Sequence, residues 1–303
     1  MAKILVCDKI SPTAIERMKA LGHEVVVKTG MTPEELIETV PPFEAMIVRS
    51  ATKVRVPVID AAKNLKVIIR GGVGIDNIDV DYARSKGIEV RNTPAASSPS
   101  VAELALGHMF SVYRFIAAST WRMRQGEDFK KIKKESQGRE LAGKTLGIIG
   151  IGRIGKELAK RALALGMKVI AYDAYVTDPG IEGVTMVSFD ELLSQADIIS
   201  LHVPKTDKPI IGREEFAKMK DGAVIINTAR GGVVDEDALL EALDSGKLYG
   251  AAIDVFVGEP NPKPELVNHP KVSVTPHLGA STNEAQERIG EEIIKILNEV
   301  FGS

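Results

Sequence analysis

The chain has 303 residues, 44% apolar and 26% charged, with a net charge of −2, which suits about two globular domains and excludes a disordered chain. Near-neutral charge gives no field to draw in nucleic acid, no apolar run approaches the roughly 20 residues of a membrane span, and Ile4–Cys7 is too short an apolar stretch for a signal peptide. The single cysteine, Cys7, excludes a disulfide framework and a cysteine-rich zinc site, so a cytoplasmic protein without metal, membrane or nucleic-acid partner is expected.

The first hundred residues alternate in pattern. Lys3–Cys7, Glu24–Val27, Ala45–Val48 and Leu65–Ile69 are short strand-like runs. Between them, Ser11 and Pro12 open one helix as N-cap and first residue, Thr32, Pro33 and Glu35 start another with capping-box spacing, and Pro57–Ala62 reads as a third. Buried strands alternating with helices imply an α/β fold with parallel sheets covered on both faces. Residues 92–100 gather Pro, Ser and Ala into a breaker cluster and candidate hinge.

Ser100 and Glu103 have capping-box spacing ahead of an apolar helix from Val101 to Ile116. Trp121–Arg139 is polar, with Lys130, Lys131, Lys133 and Lys134, and reads as solvated surface. A second alternation places strands at 145–149, 168–172, 198–201, 223–227, 249–253 and 272–274. Pro260–Pro276 is otherwise proline-rich loop. Ser281 and Glu284 have capping-box spacing ahead of a last amphipathic helix with Ala285, Ile289, Ile293, Leu297 and Val300 on one face.

The strand Thr145–Ile149 runs into Gly150-Ile151-Gly152-Arg153-Ile154-Gly155, and a helix follows to Leu165. Three glycines between strand and helix have a mechanical reading. Gly150 permits the tight turn, Gly152 leaves room for a pyrophosphate, and Gly155 lets helix and strand pack closely. The helix N-terminus offers free N–H groups to the phosphates. Asp173 ends the next strand, 18 residues after Gly155. Its carboxylate suits the adenine-ribose hydroxyls, and Ala174 and Tyr175 supply no arginine for a 2′-phosphate. The expected cofactor is therefore NAD rather than NADP.

Further motifs follow in order: Arg70–Asn77, Asn227–Asp235, Ala252–Pro260 and Pro276–Thr282. Together with the glycine fingerprint, they resemble the D-isomer-specific 2-hydroxyacid dehydrogenase family over nearly the whole chain. Val48–Thr52 and the segment 277–292 are most similar to its phosphoglycerate dehydrogenase branch. The resemblance implies two Rossmann-like domains: a discontinuous substrate domain over 1–98 and 280–303, an inserted NAD-binding domain over 99–279, and an active cleft between them. Longer members of the branch carry C-terminal regulatory domains. Only 21 residues follow Thr282 here, so the short form is expected. A homodimer built on the cofactor domains is also implied.

The family pattern assigns roles residue by residue. His277 would be the general base, since imidazole exchanges protons near neutral pH. Glu259 would pair with it and favour the imidazolium, and Arg230 would hold the substrate carboxylate with its two-point fork. Cofactor contacts would come from Gly150, Gly152, Arg153, Ile154, Gly155, Asp173, Val203, Pro204, Thr228, Ala229, Arg230, Asp254, His277, Gly279 and Ala280. Asp254 would meet the nicotinamide carboxamide.

Substrate contacts would come from Arg49, Ser50, Arg70, Gly72, Val73, Gly74, Arg230 and His277. Val73 stands where some relatives have threonine. His23, His108, His202 and His269 read as hydrogen-bonded structural residues. The implied reaction is NAD-dependent oxidation of 3-phospho-D-glycerate to 3-phosphohydroxypyruvate, the first step of serine synthesis, with a small phosphorylated 2-hydroxy acid as partner. Two alternatives stay open: a glyoxylate or hydroxypyruvate reductase, and an NADH-sensing corepressor on the same fold.

Overall fold

The computed structural model describes residues 1–302 and divides into two compact units. The first combines Met1–Ser98 with Ala280–Ser303, and the second is Pro99–Gly279.

The first unit alternates β1 (Lys3–Val6), α1 (Pro12–Ala20), β2 (Glu24–Val27), α2 (Pro33–Thr39), β3 (Ala45–Val48), α3 (Val56–Ala61), β4 (Val67–Arg70), α4 (Val80–Ser85) and β5 (Glu89–Asn92). Its five strands are all parallel in the order β2-β1-β3-β4-β5. Alternation along each strand feeds two cores. Leu5, Met46 and Ile68 face one side, and Ile4, Val6, Ile47 and Ile69 the other. Each such side chain, fully buried, contributes about 1.5–3 kcal/mol.

The second unit starts with α5 (Ser98–Tyr113), α6 (Ile116–Arg124) and α7 (Phe129–Glu135). It continues through β6 (Thr145–Ile149), α8 (Arg153–Ala164), β7 (Lys168–Tyr172), β8 (Val184–Met186), α9 (Phe189–Gln195), β9 (Ile198–Leu201) and α10 (Arg213–Lys218). It ends with β10 (Ala223–Asn227), α11 (Glu236–Asp244), β11 (Leu248–Ile253), α12 (Pro264–Val267) and β12 (Val272–Val274). Seven parallel strands lie in the order β12-β11-β10-β9-β6-β7-β8, with a core on each face. The order reverses between β6 and β9, the topological switch at which open α/β sheets bind ligands.

The chain returns to the first unit as α13 (Asn283–Phe301), which buries Ile289, Ile293 and Leu297. Gly290 faces α1: a Cβ there would lie 2.6 Å from that of Ala14. The bare backbone lets the two helices close.

Several local expectations are corrected. Ser11 is the N-cap of α1, but its hydroxyl donates to Glu287 Oε1 at 2.7 Å instead of capping. Ser100 lies inside α5 and donates to Gly279 O at 2.7 Å, so the 100–103 capping box does not form. The last helix is capped one residue later than expected, by Thr282 accepting from Ala285 N. The polar stretch from Trp121 to Arg139 is largely exposed, as expected, and much of it is helical, in α6 and α7, the latter capped by Asp128. The proline-rich loop contains α12.

Candidate active site

The glycine turn takes the expected shape. Gly150 has φ +93, and a Cβ there would meet His202 O. A Cβ at Gly155 would strike Gly150 O and press Ile148 Cγ2 at 3.1 Å, so α8 lies on its strand only because position 155 is bare. Gly152 is the N-cap of α8, and a Cβ there would meet nothing within 4 Å. Its open side belongs to a recess of about 460 Å³ lined also by Gly150, Asp173, Val203 and Pro204. Arg153 and Ile154 are the first helical residues, where N–H groups have no intrahelical partner.

Asp173 is tied to the backbone. Oδ2 accepts from Ile151 N at 2.9 Å, and Oδ1 accepts from Tyr175 N and Val176 N at 2.9 and 3.1 Å. The carboxylate thus fixes the glycine turn as well as facing the recess.

The same recess includes Tyr172, Tyr175, Phe189, His202 and Ile210, which the motifs did not mark. Their signal is positional: they sit at or beyond the ends of adjacent strands. Burial pushes the His202 imidazole down to about 4, so it is neutral there. Two buried polar atoms at this edge, Thr228 Oγ1 and His202 Nδ1, have no hydrogen-bond partner. Buried polar groups are rarely left so, and a polar cofactor at these strand ends fits them.

The chemical groups follow β10, β11 and β12. Asn227, buried at the end of β10, accepts from Ala229 N and donates to Arg230 O at 3.0 Å, pinning the turn that carries Arg230. Arg230 Nη1 donates to Ala229 O at 2.6 Å. A Cβ at Gly231 would overlap Phe256 O, so this turn packs directly on the one after β11.

There Glu259 Oε1 accepts from Phe256 N at 2.9 Å, and Oε2 lies 2.9 Å from His277 Nδ1. Burial pushes the Glu259 carboxyl up, but the bonds from His277 and Phe256 and the nearby Arg230 charge outweigh it and hold it below the ordinary range. With Nδ1 engaged, Nε2 is the nitrogen of His277 that can exchange a proton with a ligand.

Two further groups shape this corner. Glu236, buried at the start of α11, accepts from Val257 N at 2.7 Å and so holds the loop bearing Glu259; burial raises its carboxyl. Asp254, 1% exposed, accepts at Oδ1 from Leu278 N and Thr275 Oγ1 and at Oδ2 from Gly279 N. It acts on the backbone around His277; a nicotinamide contact would have to use its remaining acceptor capacity.

In the first unit, Arg49 and Arg70 sit at the carboxyl ends of neighbouring strands, Val48 pairing in register with Arg70. Asp8 organises the turn after β3, accepting from Arg49 N and Thr52 N. Asn77 donates to Arg49 O and Thr52 O, each at 2.7 Å. Arg49 Nη1 donates to Lys9 O at 3.3 Å, and its buried Nε has no acceptor. The Arg70 guanidinium lies where a Gly72 Cβ would be, and Gly72 has φ +142. Val73 O accepts from Asn92 Nδ2 at 2.5 Å. Ser50 is exposed and Gly74 partly so. Ala280 begins the returning segment, its carbonyl accepting from Gln286 Nε2 at 2.7 Å. Lys130, Lys131, Lys133 and Lys134 are exposed on α7.

Residues 106–279 match the family described as D-isomer specific 2-hydroxyacid dehydrogenase, NAD binding domain. The chain is 48% identical to a hydroxypyruvate reductase of Thermotoga maritima, covering 98% of both. It is 50% identical over 98% of its length to a D-3-phosphoglycerate dehydrogenase of Methanocaldococcus jannaschii, of which it spans 58%. Among solved structures, D-lactate dehydrogenase from Aquifex aeolicus, complexed with NAD and lactic acid, superposes with a TM-score of 0.83 at 33% identity, covering 99% of this chain and 96% of that one. The fingerprint, the switch point and these similarities agree: the chain belongs to the D-isomer specific 2-hydroxyacid dehydrogenases, NAD-dependent oxidoreductases.

Proposed function

We propose that the chain oxidises 3-phospho-D-glycerate to 3-phosphohydroxypyruvate, the entry step of serine synthesis. Arg230 holds the substrate carboxylate. His277 takes the hydroxyl proton at Nε2 while Glu259 holds Nδ1 and favours the imidazolium. Bound NAD supplies the hydride acceptor, and Gly150, Gly152, Arg153, Ile154, Gly155, Asp173, Val203, Pro204, Thr228, Ala229 and Asp254 would hold it, with Gly279 and Ala280 completing the set.

The observation that carries the substrate reading is the arginine pair. Arg49 and Arg70 end adjacent strands beside the Gly72–Gly74 turn. A phosphate dianion needs fixed cations, and guanidinium forks suit its oxygens. Losing one charge-assisted hydrogen bond costs about 1.5–3 kcal/mol, or roughly 10–100-fold in affinity. Arg49→Ala or Arg70→Ala should therefore raise KM for the phosphorylated substrate by about that factor and change turnover of unphosphorylated acids far less. Initial rates with 3-phosphohydroxypyruvate, hydroxypyruvate and glyoxylate decide the matter. A native preference for either unphosphorylated acid overturns the phosphate reading and favours a hydroxypyruvate or glyoxylate reductase. The second reading is supported by the Thermotoga relative, matched over 98% of its own length.

We further propose a cytoplasmic homodimer. Phe110, Ile116, Trp121, Met123 and Phe129 are exposed apolar side chains on the consecutive helices α5–α7, and exposed apolar surface suits a protein interface. Cys7 is buried and free, which suits a reducing compartment. Trp121→Glu should yield monomers in sedimentation; a native protein that sediments as a monomer rejects the dimer.

A further inference from the structure

His108 lies on α5, 3% exposed, in the core with Ala105, Met109 and Val112. No helix cap, cofactor contact or ion pair uses it among the described residues, yet both ring nitrogens are engaged. Nδ1 is 3.0 Å from Ser273 Oγ, and Nε2 is 2.9 Å from Thr275 Oγ1. Thr275 Oγ1 donates to Asp254 Oδ1 at 2.6 Å. Ser111 Oγ, 3.0 Å from Ser273 Oγ, gives that hydroxyl its second partner.

Proton counting fixes the direction of the row. A carboxylate only accepts, so the Thr275 proton goes to Asp254, and Thr275 Oγ1 must accept from His108 Nε2–H. Burial lowers the His108 imidazole, with the Asp254 charge opposing, so the ring is neutral. Donors therefore run from His108 through Thr275 to a charged end, the arrangement in which hydrogen bonds reinforce one another.

That charged end holds the backbone carrying His277. Asp254 Oδ1 accepts from Leu278 N at 2.7 Å and Oδ2 from Gly279 N at 3.0 Å. Asp254 O accepts from His277 N at 2.8 Å. His277 itself has φ +54, a left-handed conformation that a non-glycine residue keeps only when its surroundings hold it. Three of those holds come from one residue, Asp254, and the rotamer of Asp254 is set by Thr275 and the histidine behind it.

We propose that His108 is a positioning residue of the dehydrogenase. Through Thr275 and Asp254 it fixes the 275–279 turn and thereby the direction in which the His277 ring is presented. The effect is on geometry in the transition state, not on binding: His108 touches neither the glycine turn nor Arg230. A packing role alone would predict that any apolar side chain of similar volume serves as well. The hydrogen-bond row predicts that it does not. This rests on His277 being the acid–base group.

The test uses the full-length protein with His108→Met, His108→Gln, Thr275→Val and the His108→Met/Thr275→Val double variant. Methionine fills the volume without donating; glutamine keeps an N–H near the position of Nε2. Rates are read from NADH oxidation with 3-phosphohydroxypyruvate and hydroxypyruvate. The downfield proton resonance of His277 Nδ1–H, read in the NADH-bound protein without turnover, reports the ring directly.

His108→Met should lose about tenfold in kcat, with KM and NADH affinity within about twofold. His108→Gln should recover most of it, and the double variant should be no slower than Thr275→Val alone, because both break one row. The resonance should move in His108→Met and return in His108→Gln. Native kcat with an unmoved resonance in His108→Met, or additive losses in the double variant, overturns the proposal. Should the methionine variant not fold, a native rate in Thr275→Val or a slow, well-folded His108→Gln overturns it equally. Turnover surviving in His277→Ala marks failure of the acid–base assignment instead, whereas a slow His277→Ala beside a native His108→Met marks failure of this proposal alone.

Discussion

Replacing Glu259 with glutamine removes a charge while keeping size. In the native protein both carboxylate oxygens face donors, His277 Nδ1 and Phe256 N, each at 2.9 Å. An amide offers one acceptor and one donor, so it satisfies one neighbour and sets N–H against N–H at the other. In the proposed mechanism His277 takes the hydroxyl proton and becomes a cation that the carboxylate attracts. At an effective dielectric of about 20, unit charges roughly 4 Å apart attract by about 4 kcal/mol. Both side chains are about one-third exposed, at 35% and 36%. Solvent screening therefore reduces the value to the lower range of a charge-assisted hydrogen bond, about 1.5–2 kcal/mol. That is about 10- to 30-fold in kcat.

Glu259 is held below the ordinary carboxylate range, despite burial that pushes it up, by His277, Phe256 and Arg230. It stays ionised throughout the neutral range. Without it no carboxylate offsets the charge that His277 acquires. Initial rates at saturating NAD measure the effect. A kcat within twofold of native refutes the pairing.

Asp173→Ala should weaken NADH binding about tenfold, measured by NADH fluorescence, and narrow the preference over NADPH, since the carboxylate both faces the recess and holds Ile151 N; native protein that binds NADPH equally well rejects this role. Gly231→Ala drives a methyl into Phe256 O, so it should cost about 1–3 kcal/mol of stability and lower kcat by separating Arg230 from Glu259; a native melting temperature and kcat would show that the two turns are not in contact. His202, driven by burial to about 4, binds a proton near 6.5 when unfolded, so stability rises with pH between those values. His202→Gln should flatten that rise by up to about 3 kcal/mol in thermal unfolding from pH 4.5 to 7, and a variant as acid-sensitive as the native protein sinks the reasoning.

The α/β class was readable because most central strands are continuous apolar runs, the mark of burial on both faces. Glu89–Asn92 and Val184–Met186 gave no such run: both are edge strands with solvated residues. The capping patterns misled where tertiary partners compete. Ser100 has the spacing of a cap, but its hydroxyl goes to Gly279 O, 179 residues away. Arg230, Glu259 and His277 were marked by motif, and the pairing of the last two is a 2.9 Å contact. Asp8 and Glu236 were not marked, and His202 was read only as a structural histidine. Asp8 matters through Arg49 and Thr52, and Glu236 through Val257, partners 21 or more residues distant. Composition and local spacing carry no trace of such pairs.

The order of the larger sheet separates two kinds of evolutionary change. The glycine turn, Asp173 and Val203 follow β6, β7 and β9, whereas Arg230, Glu259 and His277 follow β10, β11 and β12, the three strands at the opposite side of the sheet. Adjacent strands lie about 4.8 Å apart, so β7 and β12, five steps apart in the order, are separated by roughly 24 Å. With the roles proposed above, a change of nucleotide preference at the β7 turn acts far from the turns that carry Arg230, Glu259 and His277, so the two properties are expected to be separately alterable.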